Sequence, residues 1–150
     1  GLDVRRADSI DLAPFIRATG DNPAVDNQAP GRVLTAPRRT GADFVIEDNR
    51  PYGACVEGIT RSALSHAHMA AESAHDREHV TSSIKRRRDL FNVVYAQAPA
   101  PLARPSLHLS VDTREDLDWL RELYFRPGAS EPSLSHPIAA DGRSSPRTAA

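Results

Sequence analysis

Two aspartates stand where an enzyme built on a sheet would hold a metal ion. Asp21 follows the apolar run 14–18 and Asp112 follows the run 107–111, and a turn or a helix start comes directly after each. In parallel α/β sheets, ligands bind at the carboxyl ends of the strands. Two carboxylates arriving there could share one Mg²⁺ and position a phosphate chain. The spacing alone also fits a plainer interpretation, in which both aspartates only shape turns.

Two other clusters of charged or titratable residues point to chemistry less strongly. Four histidines lie close together in the sequence, but His66 and His68 are two positions apart and would point to different sides of a helix. His75 and His79 could share a helix face, yet no neighbouring cysteine completes a zinc set, so we expect adventitious metal binding there. The basic run 85–88 fits a solvated helix end better than a nucleic-acid site, because cations there complement the helix dipole.

The elements that must position these residues alternate between strand-like and helix-like segments. Apolar spacing predicts three helices. The first, over 63–74, would bury a stripe that includes Ala63, Leu64 and Ala67, and a shorter one would run from Asp76 to about Arg87. The third begins at Thr113 with residues that resemble a capping box, and its apolar face carries Leu117, Leu120, Leu123 and Tyr124. This alternation favours an α/β layer fold with a partly parallel sheet. Residues 27–39 occupy the place of a connecting helix, but their prolines and glycine argue against one. Four short apolar runs predict strands, at 14–18, 43–46, 91–95 and 107–111.

The composition excludes several classes of protein. With 19 Lys+Arg against 20 Asp+Glu, the chain lacks the basic field of a general nucleic-acid binder. The single cysteine, Cys55, excludes internal disulfides and a cysteine zinc site, and it favours a cytoplasmic setting. No apolar run is long enough to predict a membrane span. Residues 128–150 are rich in Gly, Ala, Pro and Ser, so we expect a disordered tail after a fold that ends near Phe125.

Several segments, taken in order, resemble a known family. Residues 18–26 read ATGDNPAVD, and TGADFV, DREHVT and SVDTREDL follow at 40–45, 76–81 and 110–117. Pro51-Tyr52-Gly53 followed by Val56-Glu57 also fits the pattern. The set resembles the sugar nucleotidyltransferases, in particular the spore coat polysaccharide biosynthesis cytidylyltransferase group, relatives of the CMP-Kdo and acylneuraminate cytidylyltransferases. The resemblance extends from about Phe15 to about Phe125.

The resemblance implies a fold and a reaction. The fold would be a three-layer, Rossmann-like α/β nucleotidyltransferase with a mixed, mostly parallel sheet. In the reaction, a sugar hydroxyl would attack the α-phosphorus of CTP and pyrophosphate would leave, as a step of polysaccharide biosynthesis. The resemblance implies that Asp21 and Asp112 hold Mg²⁺ and that Glu57, Arg77 and His79 bind an acidic or amino sugar. Relatives often dimerise through this half, so a homodimer is one expected state.

One part of the family pattern has no counterpart in this sequence. The family begins with a glycine-rich loop that carries Arg and Lys and cradles the triphosphate, whereas the segment 31–41 has wrongly spaced glycines and no strand before it. We therefore expect residues 1–127 to form the C-terminal portion of a nucleotidyltransferase-like domain, incomplete at the N-terminus and weakly active or inactive alone. The alternatives are a non-catalytic remnant that serves as an interaction or dimerisation module, and a decayed reading frame that never folds stably.

Overall fold

A computed structural model describes residues 14–71 and 73–124. Helices and strands alternate along this part of the chain, as the sequence predicts for an α/β protein. The strands are β1 (Phe15–Arg17), β2 (Phe44–Asp48), β3 (Glu57–Ile59) and β4 (Val93–Gln97). The helices are α1 (Ala29–Thr40), α2 (Arg61–Met69), α3 (Ala74–Glu78), α4 (Val80–Arg86) and α5 (Arg114–Tyr124), with a 3₁₀ turn at Ala100–Leu102.

The four strands form one sheet in the order β1-β3-β2-β4. Strand β3 runs antiparallel to both of its neighbours, with Ile59 opposite Phe15 on one side and opposite Phe44 on the other. The expected mixed α/β class is confirmed. Both pairings of β3 are antiparallel, whereas a mostly parallel sheet was expected. Strand β3 was not among the predicted strands, because three residues give no periodic signal.

The chain divides into two compact units. Of the described residues, the first unit contains 14–17, 30–46, 57–71 and 73–96, with most of the sheet and the helices from α2 to α4. Its core is formed by buried apolar side chains that come from the sheet and from these helices. They include Phe44, Ile59, Leu64, Ile84 and Phe91.

Of the described residues, the second unit contains 18–29, 47–56 and 97–124, and α5 is its main helix. Leu120 and Leu123 on α5 pack with Leu109, Ala24 and Ala54. This cluster confirms the apolar face predicted for α5. It also packs the three loops that contain or adjoin the candidate site residues against α5.

Residues 27–39, which the sequence argued against as a helix, form most of α1. Pro30 is the second residue of the helix, where a backbone N–H has no acceptor within the helix and proline is therefore tolerated. Gly31 is exposed and its Cα faces open space, so it weakens the helix without breaking it. For Pro30 and Gly31 the prediction was wrong because it counted them as breakers without regard to their place in the first turn. Pro37 lies further along, where a proline removes one hydrogen bond of the helix, and α1 continues through it.

Three other predicted elements need correction. Residues 107–111 are not a strand of the sheet, since they make only an isolated parallel bridge between His108 and Tyr52. The helix predicted from Asp76 to Arg87 is two helices, because His79 leaves the helical conformation at φ −113° and ψ 54°. The long helix predicted over 63–74 ends at Met69, although the buried stripe of Ala63, Leu64 and Ala67 is as predicted.

Some predictions lie outside the described residues. They are the disordered tail at 128–150, the end of the fold near Phe125 and the nature of the segment before residue 14. Within the part that the structure does describe, no helix combines the length and the apolar character needed to cross a membrane.

Candidate functional site

The turn that carries Asp112 is held by the start of α5. Asp116 lies in the first turn of this helix and is 3% exposed. Its Oδ2 accepts hydrogen bonds from the backbone N–H of Asp112 at 3.1 Å, from the N–H of Thr113 at 2.8 Å and from the Thr113 hydroxyl at 2.8 Å. This reciprocal capping confirms the helix start predicted from the sequence. It fixes the backbone of Asp112 while the side chain of Asp112 remains 41% exposed.

The loop that carries Asp21 lies directly beside this turn. The carbonyl oxygen of Asp21 accepts a hydrogen bond from the N–H of Val111 at 2.8 Å, and the hydroxyl of Ser110 lies 3.5 Å from the same oxygen. Val111 and Ser110 immediately precede Asp112, so the two aspartates that the sequence singled out occupy adjoining backbone segments. Asp21 is exposed, as Asp112 is. Both belong to the second unit.

His108 is a site residue that the sequence analysis missed. Its Nε2 lies 3.2 Å from Oδ2 of Asp112, and its ring stacks on Tyr52 with 4.7 Å between the ring centroids. The signal was available, since His108, Ser110 and Asp112 alternate along one extended segment and therefore face the same side. His108 is buried between Tyr52 and the turn, so it limits the positions that the Asp112 carboxylate can take.

The donor atoms at this turn suit a hard cation. Ligand atoms of His108, Asp112 and Asp116 all lie within 4.8 Å of one another. Asp116 already accepts three hydrogen bonds through one oxygen and is buried, which makes it a structural residue rather than a first choice of ligand. Exposed carboxylate oxygens, as on Asp112 and Asp21, are the ligands with which proteins bind Mg²⁺ while it keeps several waters. Asp112 and Asp21 therefore carry the type of ligand that the expected metal takes, and their role as its ligands stays a prediction.

A buried ion cluster anchors the segment that follows Asp21. Arg50 is fully buried, and its Nη1 lies 3.2 Å from Oδ2 of Asp26 while its Nε lies 3.7 Å from Oε2 of Glu47. Its Nη2 donates to the carbonyl oxygen of Ala54 at 3.2 Å. Asp26 also accepts the N–H of Gln28 at 2.9 Å, so one guanidinium joins the loop after Asp21 to residues 47–54.

Glu57, a predicted sugar ligand, lies in the first unit and is paired with two cations. Its Oε2 is 2.9 Å from Nη1 of Arg17, and its Oε1 is 3.1 Å from Nζ of Lys85. The carboxylate is 9% exposed, whereas each cation is 33% exposed. Sequence reasoning had treated Glu57 as a solvated residue at a strand edge if it bound no sugar. The structure places it inside β3 between two strands.

Arg77 and His79, the other predicted sugar ligands, are exposed residues at the junction of α3 and α4. Arg77 donates to the carbonyl oxygen of Ala71 at 3.4 Å, and the ring of His79 lies 4.5 Å from that of His75. Nearby, the Ser73 hydroxyl, assisted by Arg86, holds the pKa of the Asp76 carboxyl below its ordinary value. The positions of Arg77 and His79 leave them accessible, and their role stays a prediction.

Comparison with known proteins gives this geometry a family context. No family model matches the chain. The chain is 30% identical over 126 residues to the spore coat polysaccharide biosynthesis protein SpsF of Bacillus subtilis, a match that covers 83% of the chain and 52% of SpsF. This chain is a homologue of SpsF. The resemblance to the spore coat cytidylyltransferase group, read from the motifs, is thereby confirmed.

Two further matches agree with this relationship. The protein MJ1063 of Methanocaldococcus jannaschii is 32% identical over 109 residues, covering 73% of the chain and 45% of that protein. A cytidylyltransferase structure from Leptospira borgpetersenii superposes with a TM-score of 0.76 at 19% identity, over 90% of the chain and 58% of that structure. The structural match shows the Rossmann-like fold of a cytidylyltransferase. The chain spans about half the length of the curated relatives it matches.

Proposed function

We propose that this SpsF homologue takes part in the transfer of a cytidylyl group from CTP to a sugar, in polysaccharide biosynthesis. The observation that carries the proposal is the hydrogen bond between the Asp21 carbonyl and the Val111 N–H, which sets the Asp21 loop beside the Asp112 turn. In this proposal Asp112 and Asp21 hold Mg²⁺ against the phosphates of the nucleotide. The acceptor would be an acidic or amino sugar, and Glu57, Arg77 and His79 are the candidates for its recognition.

The second unit positions the Asp112 carboxylate for this reaction. Bound Mg²⁺ would offset charge on the phosphates and align them for in-line displacement. Asp116 fixes the backbone of Asp112 through the cap of α5, and His108 restricts the Asp112 carboxylate from the side. The chain's own residues therefore preorganise oxygen ligands before substrate arrives, which is how catalysis of phosphoryl transfer is largely achieved.

A dimerisation module is the second candidate function. Strand β4 lies at an end of the described sheet order, and its Tyr95 is 43% exposed. An aromatic side chain on an edge strand is a common feature of surfaces that pair with another chain. Such pairing is compatible with transfer activity, and a homodimer of this chain is the partner we propose for it.

Pyrophosphate release from CTP, with Mg²⁺ and a panel of acidic and amino sugars, tests the transfer proposal. We expect weak release, because the triphosphate loop of the family has no counterpart in this sequence. The release should depend on one sugar and fall by about 100-fold or more in Asp112→Asn, the order found when one preorganised charge-stabilising group is removed. Asp118→Asn is the matched control, because Asp118 is exposed on α5 and pairs with Arg114 at 2.9 Å. Release by Asp112→Asn at the rate of the unmodified chain, or no release with any sugar, contradicts the proposal.

A further inference from the structure

The only lysine of this chain lies at a site that the proposed reaction leaves unexplained. The sequence contains 19 Lys+Arg, of which Lys85 alone is lysine. Its ammonium group lies 3.1 Å from Oε1 of Glu57 and 5.8 Å from the centroid of the Phe44 ring. Arg17 reaches the other oxygen of the same carboxylate, at 2.9 Å, from the neighbouring strand β1. Two cations thus meet at one buried anion.

This cluster has more positive charge and more hydrogen-bond donors than the Glu57 carboxylate can neutralise or accept. Two cations against one carboxylate leave one net positive charge, and this charge lies over a strand residue that is 9% exposed. An ammonium group has three N–H donors and a guanidinium has five, of which Glu57 takes one from each. Both cations are one-third exposed, so the remaining donors include some that face solvent.

Glu57 keeps the two cations side by side. Without it, like charges on Arg17 and Lys85 would repel, and both long side chains would move apart into water. With one cation on each oxygen, at 2.9 and 3.1 Å, both heads are held next to the same carboxylate. Two cations kept together in this way suit a second oxyanion, because charge-assisted hydrogen bonds to such groups are short and strong.

We propose that Arg17 and Lys85 form a binding site for a small oxyanion, a carboxylate or a phosphate group, and that Glu57 is its positioning residue. This inference goes beyond the proposed function, since it assigns a role to two residues that the transfer proposal does not use. It changes the interpretation of Glu57, which holds the cations instead of contacting a sugar itself. The site stands whether or not the chain transfers nucleotides.

The single lysine makes the test specific. Protein labelled with ¹³C-lysine gives the side-chain signal of Lys85 alone, and this signal is followed while acetate or inorganic phosphate replaces chloride at constant ionic strength, without Mg²⁺ or CTP. We expect a saturable shift. Stronger binding of acetate identifies a carboxylate ligand, and stronger binding of phosphate identifies a phosphate ligand. A shift that grows linearly without saturation for both anions overturns the proposal.

Two variants distinguish a specific anion site from a general attraction of anions by positive charge. Arg17→Met should weaken the binding about tenfold or more, since it removes one charge-assisted donor. Arg88→Met removes the same charge from an exposed residue, which lies 5.2 Å over the Tyr95 ring, and should leave the binding unchanged. Equal weakening in both variants overturns the proposal. If Arg17→Met does not fold, Arg17→Lys replaces it. Anion binding by Arg17→Lys within a few-fold of that of the unmodified chain supports the proposal, whereas complete loss of binding contradicts it.

Discussion

At the residue scale, Arg50 lies outside the candidate site but holds the loop that follows Asp21 in place. It carries one positive charge between two carboxylates, on Asp26 and Glu47, and all three side chains are at least nine-tenths buried. Removing one partner of a buried ion pair leaves charge without compensation, which costs far more than the pair contributes in total. The cluster therefore decides whether the loop after Asp21 keeps its place.

We predict that Arg50→Met lowers the free energy of unfolding by about 3 to 5 kcal/mol, because two buried carboxylates lose the guanidinium that pairs with both of them. Urea unfolding followed by circular dichroism measures this loss. Arg121→Met is the control, since Arg121 is 55% exposed on α5 and should cost less than about 1 kcal/mol. A loss in Arg50→Met as small as that in the control would show that the cluster contributes little.

The sequence predicted which residues to examine at this scale better than it predicted their contacts. Asp21 and Asp112 were chosen from strand ends and motifs, and their backbones adjoin in the structure. The buried Arg50 was missed because a lone polar residue gives no sign of what it will face after folding, whereas His108 was missed although it alternates with Ser110 and Asp112 along one segment. Glu57 was singled out, but its two cations come from Arg17 and Lys85, forty and twenty-eight positions away in the sequence.

At the scale of elements, the loop 51–54 must approach the His108–Ser110 segment closely. The backbones of Tyr52 and Leu109 are joined by a hydrogen bond of 2.7 Å, and Gly53 has a φ of +85°. A Cβ on Gly53 would lie 2.5 Å from the backbone nitrogen of Ser110. Only glycine fits here, both for its conformation and for its space.

We predict that Gly53→Ala destabilises the protein by about 3 kcal/mol, from the positive φ and from the backbone overlap together. Gly31→Ala is the matched control. It lies in α1 with nothing near its Cα, and the same change there should stabilise by about 0.5 to 1 kcal/mol. Both values come from urea unfolding. Similar behaviour of the two variants would contradict the close approach.

Helices and strands were predictable where their formation depends on their own residues. The capping residues and apolar face of α5 are local, and both were predicted correctly. The segment 107–111 has the alternation of a strand, yet it makes one bridge because its partners are a loop and a helix. Strand β3 is too short for a periodic signal, and it is defined by the two strands beside it. Tertiary pairing of this kind cannot be read from local spacing.

At the scale of the whole molecule, homology and fold agree while the chemistry remains a proposal. The match to SpsF covers most of the chain, and the fold matches a cytidylyltransferase structure. Both motif aspartates fall in one unit, together with the helix α5 that fixes the Asp112 turn. We therefore expect this unit to bind a divalent cation at the Asp21 loop and the Asp112 turn.

Paramagnetic broadening of amide signals by Mn²⁺, which substitutes for Mg²⁺, tests this cation binding directly. We predict that trace Mn²⁺ broadens the signals of residues 20–22 and 110–113 first, and that excess Mg²⁺ restores them. Asp112→Asn should abolish the effect, and the exposed Asp118→Asn should leave it unchanged. Broadening centred on the paired rings of His75 and His79, or broadening that survives Asp112→Asn, would contradict the account.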